Sequence, residues 1–370
     1  MPKSAPLLLA TNSPLTSQVS IDSWLKLQCS PPHLKMNESA RANHLVKMWQ
    51  PAFRCATRLF DLLLTTLTIL GMQQYILPAD APEHRRLDLQ QMLLSRVRDG
   101  LFLHKDGVHR ALTPKPGDPT PVIIDLGCGS GFWTMEMAKQ FPDADVIGID
   151  LVVPTPASPI PPNCRFEQHD LNNGLAGYQN AANVIHASCV AQGIINYQKL
   201  MDEIWEALRP GGVYLTVAGD MQMLDHNKEP WMVREDEEKE FSYHVLMMTK
   251  SWDAMKAKGP GISSYSEIPS WIEQMGSEKW EASGVEHKYV PIGPWEENMT
   301  EHDKQTAELM RQDMIRLQNA LVPGIRAYGI PEETVQRWLG GARDELVNMR
   351  KHIYCHWLFT WAVKHQGGSE

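Results

Sequence analysis

The stretch VIIDLGCGSGFWTMEMAKQFPDADVIGID, Val122 to Asp150, constrains the fold more than any other part of the chain. VIIDLG is a continuous apolar run of the kind that forms a strand buried on both faces. A glycine turn follows it, then a helix to Gln140, then a second strand, DVIGID. CRFEQHDL, NVIHASC and GVYLTVAG continue as third, fourth and fifth strands, and the helix YQKLMDEIWEALRPGG precedes the fifth. Strand and helix in alternation predict a doubly wound α/β sheet, with ligand bound outside the carboxyl ends of the strands.

The turn holds Gly127, Gly129 and Gly131 in the pattern GxGxG, followed by Phe132. A dinucleotide loop reads GxGxxG and lays a pyrophosphate on the helix N-terminus. Phe132 leaves less room for a bridging pyrophosphate, so a ligand without phosphates, such as S-adenosylmethionine, fits better. Asp125 before the turn is placed to meet an ammonium group, and Asp150 at the next strand end to accept from two ribose hydroxyls. Acids at three successive strand ends, Asp125, Asp150 and Asp170, strengthen the reading beyond the glycines alone. The blander account makes these residues turn glycines and cap carboxylates only.

With these motifs in view, the chain resembles class I S-adenosylmethionine-dependent methyltransferases, and most of all the fungal LaeA-like and secondary-metabolism group. The resemblance rests on DLGCGSGFW, YILPADAPEHRRLDLQQ, PPNCRFEQHDL, LRPGG, VPIGPW and IPEETVQRWLGGARDEL, together spanning about Tyr75 to the C-terminus. It implies a Rossmann-like sheet of seven strands, closed by YCHWLFTWAVKHQ, and S-adenosyl-L-methionine as cofactor. By that resemblance Asp125, Gly127, Cys128, Gly129 and Gly131 line the methionine moiety. Asp150 takes the ribose and Leu151 packs on the adenine. Asp170 and Leu171 meet the adenine amine and a ring nitrogen. His186 and Ala187 lie beside the sulfonium, with His186 a wall residue rather than a base, and Tyr75 covers the cofactor. Three departures stand out: Asn183 where the fourth strand usually opens with an acid, Leu175 and Ala176 where the group often has a tryptophan, and a long segment rich in Met and Trp at 221–284.

The predicted organisation is an N-terminal extension over 1–74, loosely structured and then helical, and a methyltransferase domain over 75–366. Residues 221–284 are expected to form a helical lid inserted after the fifth strand, with Trp231, Met247, Trp252 and Trp271 facing an apolar acceptor; packing of a helical insertion is the plainer account. REDEEKE (Arg234–Glu240) reads as a solvated helix face. If the acceptor must lose a proton, His226, His244 and His287 are the candidate bases.

Composition narrows the partners. A formal net charge of −9 argues against a fold-wide attraction to nucleic acid or anionic membrane. The run LFDLLLTTLTIL (Leu59–Leu70) is too short to span a bilayer, and the N-terminal apolar run too short for a signal peptide. Six cysteines without a CxxC pair disfavour a disulfide framework or a zinc site, and no metal is expected. The reading is a cytoplasmic enzyme that O-methylates a small apolar or aromatic metabolite by in-line displacement. A LaeA-like regulator working through protein partners (nuclear in that case) and a protein methyltransferase are the alternatives, and the sequence leaves homodimerisation open.

Overall fold

The computed structural model describes Leu77, residues 80–156, 158–233 and 241–257, Tyr265, and residues 267–366. The expected extension over 1–74, Tyr75 and the charged run Arg234–Glu240 lie outside the described residues.

A seven-stranded sheet organises the rest, in the order β3-β2-β1-β4-β5-β7-β6. The strands are β1 (Val122–Leu126), β2 (Asp145–Asp150), β3 (Cys164–Gln168), β4 (Ala182–Ser188), β5 (Leu208–Gly219), β6 (Trp280–Pro291) and β7 (Tyr354–Lys364). β1 to β5 run parallel, and β7 lies antiparallel between β5 and β6. The chain steps outward from β1 to β2 and β3, then returns to place β4 on the other side of β1. The order reverses there, so the crevice above β1 and β4 is where such a sheet binds its ligand.

The apolar runs are continuous because alternate residues feed two cores. Ile123, Val146, Val184, Val213 and Leu215 pack under α2 (Lys105–Leu112) and α3 (Phe132–Gln140). Their neighbours Ile124, Ile147, Ile185 and Tyr214 join the larger core on the opposite face. There α4 (Tyr197–Ala207) presents Tyr197, Leu200, Met201, Ile204 and Ala207, the spacing of a single helical stripe, and Asn196 caps its first turn. The edge strand β6 instead carries exposed Glu281 and Glu286 and half-buried Lys288, charges that discourage pairing with another sheet.

Ahead of the sheet, α1 (Ala81–Val97) starts where Pro82 suggests, with Asp80 accepting from the Glu83 amide. Between β5 and β6 lie α5 (Tyr243–Lys256) and α6 (Glu267–Met275); α7 (Glu301–Ala327) and α8 (Glu332–Val347) separate β6 from β7. A capping box between Thr300 and Asp303 opens α7. Buried Arg86 of α1 reaches Asp313 of α7 at 3.0 Å and Glu83 at 2.7 Å.

The expectation of one helical insertion over 221–284 needs correcting at both ends. Residues after β5 first form a hairpin, with Leu224 bridged to Pro230 and to Tyr354, which carries the pairing of β5 further along β7. At the far end Trp280 to Gly284 already belong to β6, and Trp280 is 4% exposed with its ring 6.5 Å from that of Tyr214. Methionine and tryptophan suit a buried strand as readily as a helix, so richness in them did not mark a helical boundary.

Candidate functional site

Gly127, Gly129 and Gly131 all have positive φ, at 67°, 55° and 79°, so the turn coils through conformations that only glycine adopts cheaply. A Cβ on Gly127 would stand 2.8 Å from Cγ2 of Val190, and one on Gly129 would stand 3.0 Å from Cδ1 of Leu87 on α1. The turn is thus a backbone cradle roofed by Leu87 and walled by the residues that follow β4. The Asp150 carboxylate curls toward it and accepts from the Gly129 amide at 2.8 Å and the Val152 amide at 3.3 Å. Burial pushes the Asp150 carboxyl up, and the bonds from backbone N–H groups oppose that. A carboxylate offers about four acceptor positions, so two remain for a diol. Asp170 accepts from the amide and the side chain of Asn172 through Oδ1, which caps a single 3-10 turn over Leu171–Asn173. Leu171 is buried; Leu151 is half-buried and its carbonyl accepts from Gln168. The acids and the turn therefore stand together along the carboxyl ends of β1, β2 and β3, and they fit an adenosine bearing a sulfonium side arm.

Asp125 is placed differently from expectation. Its side chain is buried beneath the turn, where Oδ2 accepts from the Thr134 hydroxyl at 2.7 Å and Oδ1 from His186 Nδ1 at 2.8 Å. His186 stacks on Trp133 with ring centroids 3.8 Å apart, and the Trp133 indole donates to the Leu101 carbonyl. Burial holds the His186 imidazole below its usual range, with Asp125 opposing, so the ring is neutral and its Nδ1 carries the proton given to Asp125. Ala187 points into the opposite core and is fully buried. The side chains of Asp125, His186 and Ala187 thus pack beneath the turn. Cys128 is likewise packing: burial and the Asp125 charge push its thiol far up, which suppresses a thiolate. Asn183, in place of an acid, accepts from the Val122 amide and Arg209 and donates to the Ala111 carbonyl, a donor role that a carboxylate lacks.

The three candidate bases scatter. His226 is exposed at the tip of the hairpin after β5, among residues folded around Asp225. His244 is fully buried on α5, where Nδ1 accepts from Gln318 of α7 and Glu345 of α8 receives its amide; burial drives its pKa down to about 3. His287 sits on β6 with Nδ1 2.9 Å from Nε2 of His356. It is four strands from β1, roughly 19 Å across the sheet. His244 is removed as a base by its burial, and His287 by its place on the edge strand.

The expected acceptor residues divide too. Met247 is a core residue at 0% exposure. Trp271 packs its ring 6.0 Å from that of Tyr197, Trp252 lies 5.9 Å from Tyr265, and Trp231 is half-buried. Sequence reasoning missed Leu87, Gln91, Arg98 and Val190, which stand at the turn or at the end of β4. The quoted segment RRLDLQQ contained two of them, and its helical period gave the signal, but the fold was needed to bring α1 over the turn. Among the described residues there is no cluster of His, Cys, Asp or Glu that could hold a metal ion, and no helix long and apolar enough to cross a membrane.

A family model described as a methyltransferase domain matches residues 96–280, half of the chain. The chain belongs to this methyltransferase family. In sequence it is similar to the laeA regulators of secondary metabolism. The methyltransferase is 30% identical to the secondary metabolism regulator laeA of Coprinopsis cinerea over 46% of its own length and 42% of that protein. To the regulator of the same name from Aspergillus fumigatus it is 26% identical, over 76% of this chain and 70% of that one. A protein of Emericella nidulans named protein-methionine methyltransferase laeA matches equally, at 26% over 76% and 70%. The chain therefore spans less than half of the first relative. Among solved structures, a Haemonchus contortus phosphoethanolamine N-methyltransferase 2 with S-adenosyl-L-methionine overlaps 75% of this chain and 57% of that one, at 15% identity and a TM-score of 0.38.

Proposed function

We propose that this methyltransferase transfers the methyl group of S-adenosylmethionine to an acceptor that attacks without first losing a proton, with a thioether sulfur, as in a methionine side chain, the best candidate. The observation that carries this reading is the dispersal of the bases. His226 is on a surface hairpin, His244 in the core and His287 on the edge strand, while His186 donates through Nδ1 to Asp125 and has its Nε2 buried beneath the turn, closed to solvent. Cys189, at the end of β4, is held as the thiol by burial. A phenol or alcohol would need one of these groups as general base. A thioether does not: its lone pair displaces S-adenosylhomocysteine in line, one sulfonium forms as another is lost, and no proton moves. The chain then has only to align and desolvate the two sulfurs. The name carried by the Emericella nidulans relative agrees with this acceptor class.

The roles follow from position. Gly127 and Gly129 let the turn coil at positive φ under Leu87 and Val190, which turns its backbone toward the side arm of the cofactor; Asp150 takes the ribose, and Asp170 with Leu171 the adenine. Asp125, His186 and Trp133 hold the turn from below.

A second reading, O-methylation of a small apolar or aromatic metabolite under a lid of α5 and α6, is favoured by the aromatic pairs Tyr197–Trp271 and Trp252–Tyr265. One experiment separates the two. The protein is incubated with methyl-labelled cofactor and a methionine-containing peptide, its norleucine counterpart, or a simple phenol. Label on the methionine peptide that is lost with norleucine supports the thioether reading; label on the phenol alone overturns it.

A further inference from the structure

The acid expected to meet the cofactor's ammonium group is occupied by Thr134 and His186, so the charged methionine end must find partners elsewhere. Besides His186 Nε2 beneath the turn, two polar atoms beside it have none among the described residues: Nη2 of Arg98 and Oε1 of Gln91. Arg98 follows α1 and is 6% exposed. Its Nε donates to the Gly100 carbonyl at 3.1 Å, and its guanidinium lies 5.7 Å from the centre of the Phe359 ring. Phe359 on β7 pairs with Val217 of β5, and Ser188 of β4 pairs with the same Val217, so this guanidinium stands over the carboxyl ends of β4 and β5. Gln91 reaches the same strand end from α1, donating through Nε2 to the Ser188 hydroxyl at 3.2 Å.

We propose that Arg98 recognises the carboxylate of the cofactor's methionine end and that Gln91 Oε1 accepts from its ammonium. This inference rests on the S-adenosylmethionine assignment. A buried donor left unpaired costs more than a hydrogen bond returns, so an orphaned guanidinium nitrogen in a ligand crevice marks a missing acceptor. Burial lowers the Arg98 pKa to about 10 against the pull of Asp125, so it is still a cation at neutral pH. A carboxylate suits a planar fork of N–H donors, and a zwitterion brings its own compensating charge into a low-dielectric site. Gln91 supplies the neutral acceptor that Asp125, beneath the turn, does not.

The test compares two thioethers by calorimetry, S-adenosylhomocysteine and 5′-methylthioadenosine, which share the adenosine and differ in the amino-acid arm. In Arg98→Met, affinity for S-adenosylhomocysteine should fall by about tenfold to a hundredfold while that for 5′-methylthioadenosine is unchanged. Arg98→Lys, which keeps the cation without the fork, should lose a smaller part of the same preference and guards against a methionine variant that does not fold. Equal weakening of both ligands, or of neither, in the lysine variant overturns the proposal. A wild-type protein that binds S-adenosylhomocysteine with no preference over 5′-methylthioadenosine overturns it as well and leaves the cofactor intact. Binding of neither ligand by the wild type would remove the cofactor assignment itself.

Discussion

The carboxyl edge of the sheet has two regions built on opposite principles. At the ends of β2 and β3 the acids are answered by backbone amides and short local contacts: Asp150 by the amides of Gly129 and Val152, Asp170 by Asn172. Beyond β5 the polar groups are answered by distant side chains. Glu345 of α8 takes the Ser242 hydroxyl and the amides of Tyr243 and His244, and Gln318 of α7 donates to His244. In the first region the acid side chains can be truncated with little effect on packing. In the second, function and core are the same atoms, so a change there should be felt first as stability.

The sharpest test of that contrast is Gly129→Val. A branched side chain at φ 55°, with Leu87 3.0 Å from the new Cβ, closes the cradle, and cofactor binding should be lost while cooperative melting persists. Normal binding by this variant would show that ligand does not approach the turn. Asp150→Ala comes next. On the proposed role of Asp150 it would remove two ribose hydrogen bonds to a charged acceptor, each worth roughly 1.5–3 kcal/mol, so calorimetry should find affinity at least about tenfold lower.

Met247→Ala probes the other region. A methionine at 0% exposure should cost about 2–5 kcal/mol of stability, read by denaturant unfolding, with the affinity of the remaining folded protein for S-adenosylhomocysteine nearly unchanged. If cofactor affinity falls in step with stability, the two regions are not separable as described. His244→Gln has an effect that appears only as pH falls. The folded pKa near 3 lies below the ordinary value of 6.5, so the neutral ring contributes stability that is complete above pH 6.5 and is lost as pH falls toward 3. The native protein should lose roughly 1.4 kcal/mol for each pH unit across that window through this one group. The glutamine variant should lose stability less steeply between pH 4 and 6; an unchanged slope would mean that His244 is not buried neutral. Trp252→Ala, at a half-buried ring against Tyr265, should have the smallest effect on stability and spare cofactor binding, and turnover with a chosen acceptor would reveal whether that ring touches it.

Much of the fold was legible. The apolar runs at 122–126, 145–150 and 182–188 are strands because a residue buried on both faces leaves a continuous apolar signature, and the glycine spacing distinguished the ligand before any coordinate did. The order of β7 and β6 and the hairpin after β5 were not legible, since pairing between distant strands leaves no local pattern. Among the histidines the sequence offered His226, His244 and His287 on equal terms, because imidazole chemistry is the same in each. Burial between α5 and α7, a place on the edge strand and a place on a hairpin then separated them.

What the sequence by itself determined is the part written in short-range chemistry: a turn that only glycine can make, acids at strand ends, and apolar period. What the tertiary structure decided is which polar atoms are already satisfied. Asp125 was expected to meet an ammonium group and is occupied by His186, 61 residues away; Arg98, which no motif singled out, is buried beside the turn with a donor to spare. Hydrogen-bond satisfaction depends on partners brought together across the whole chain, and no window of sequence contains them.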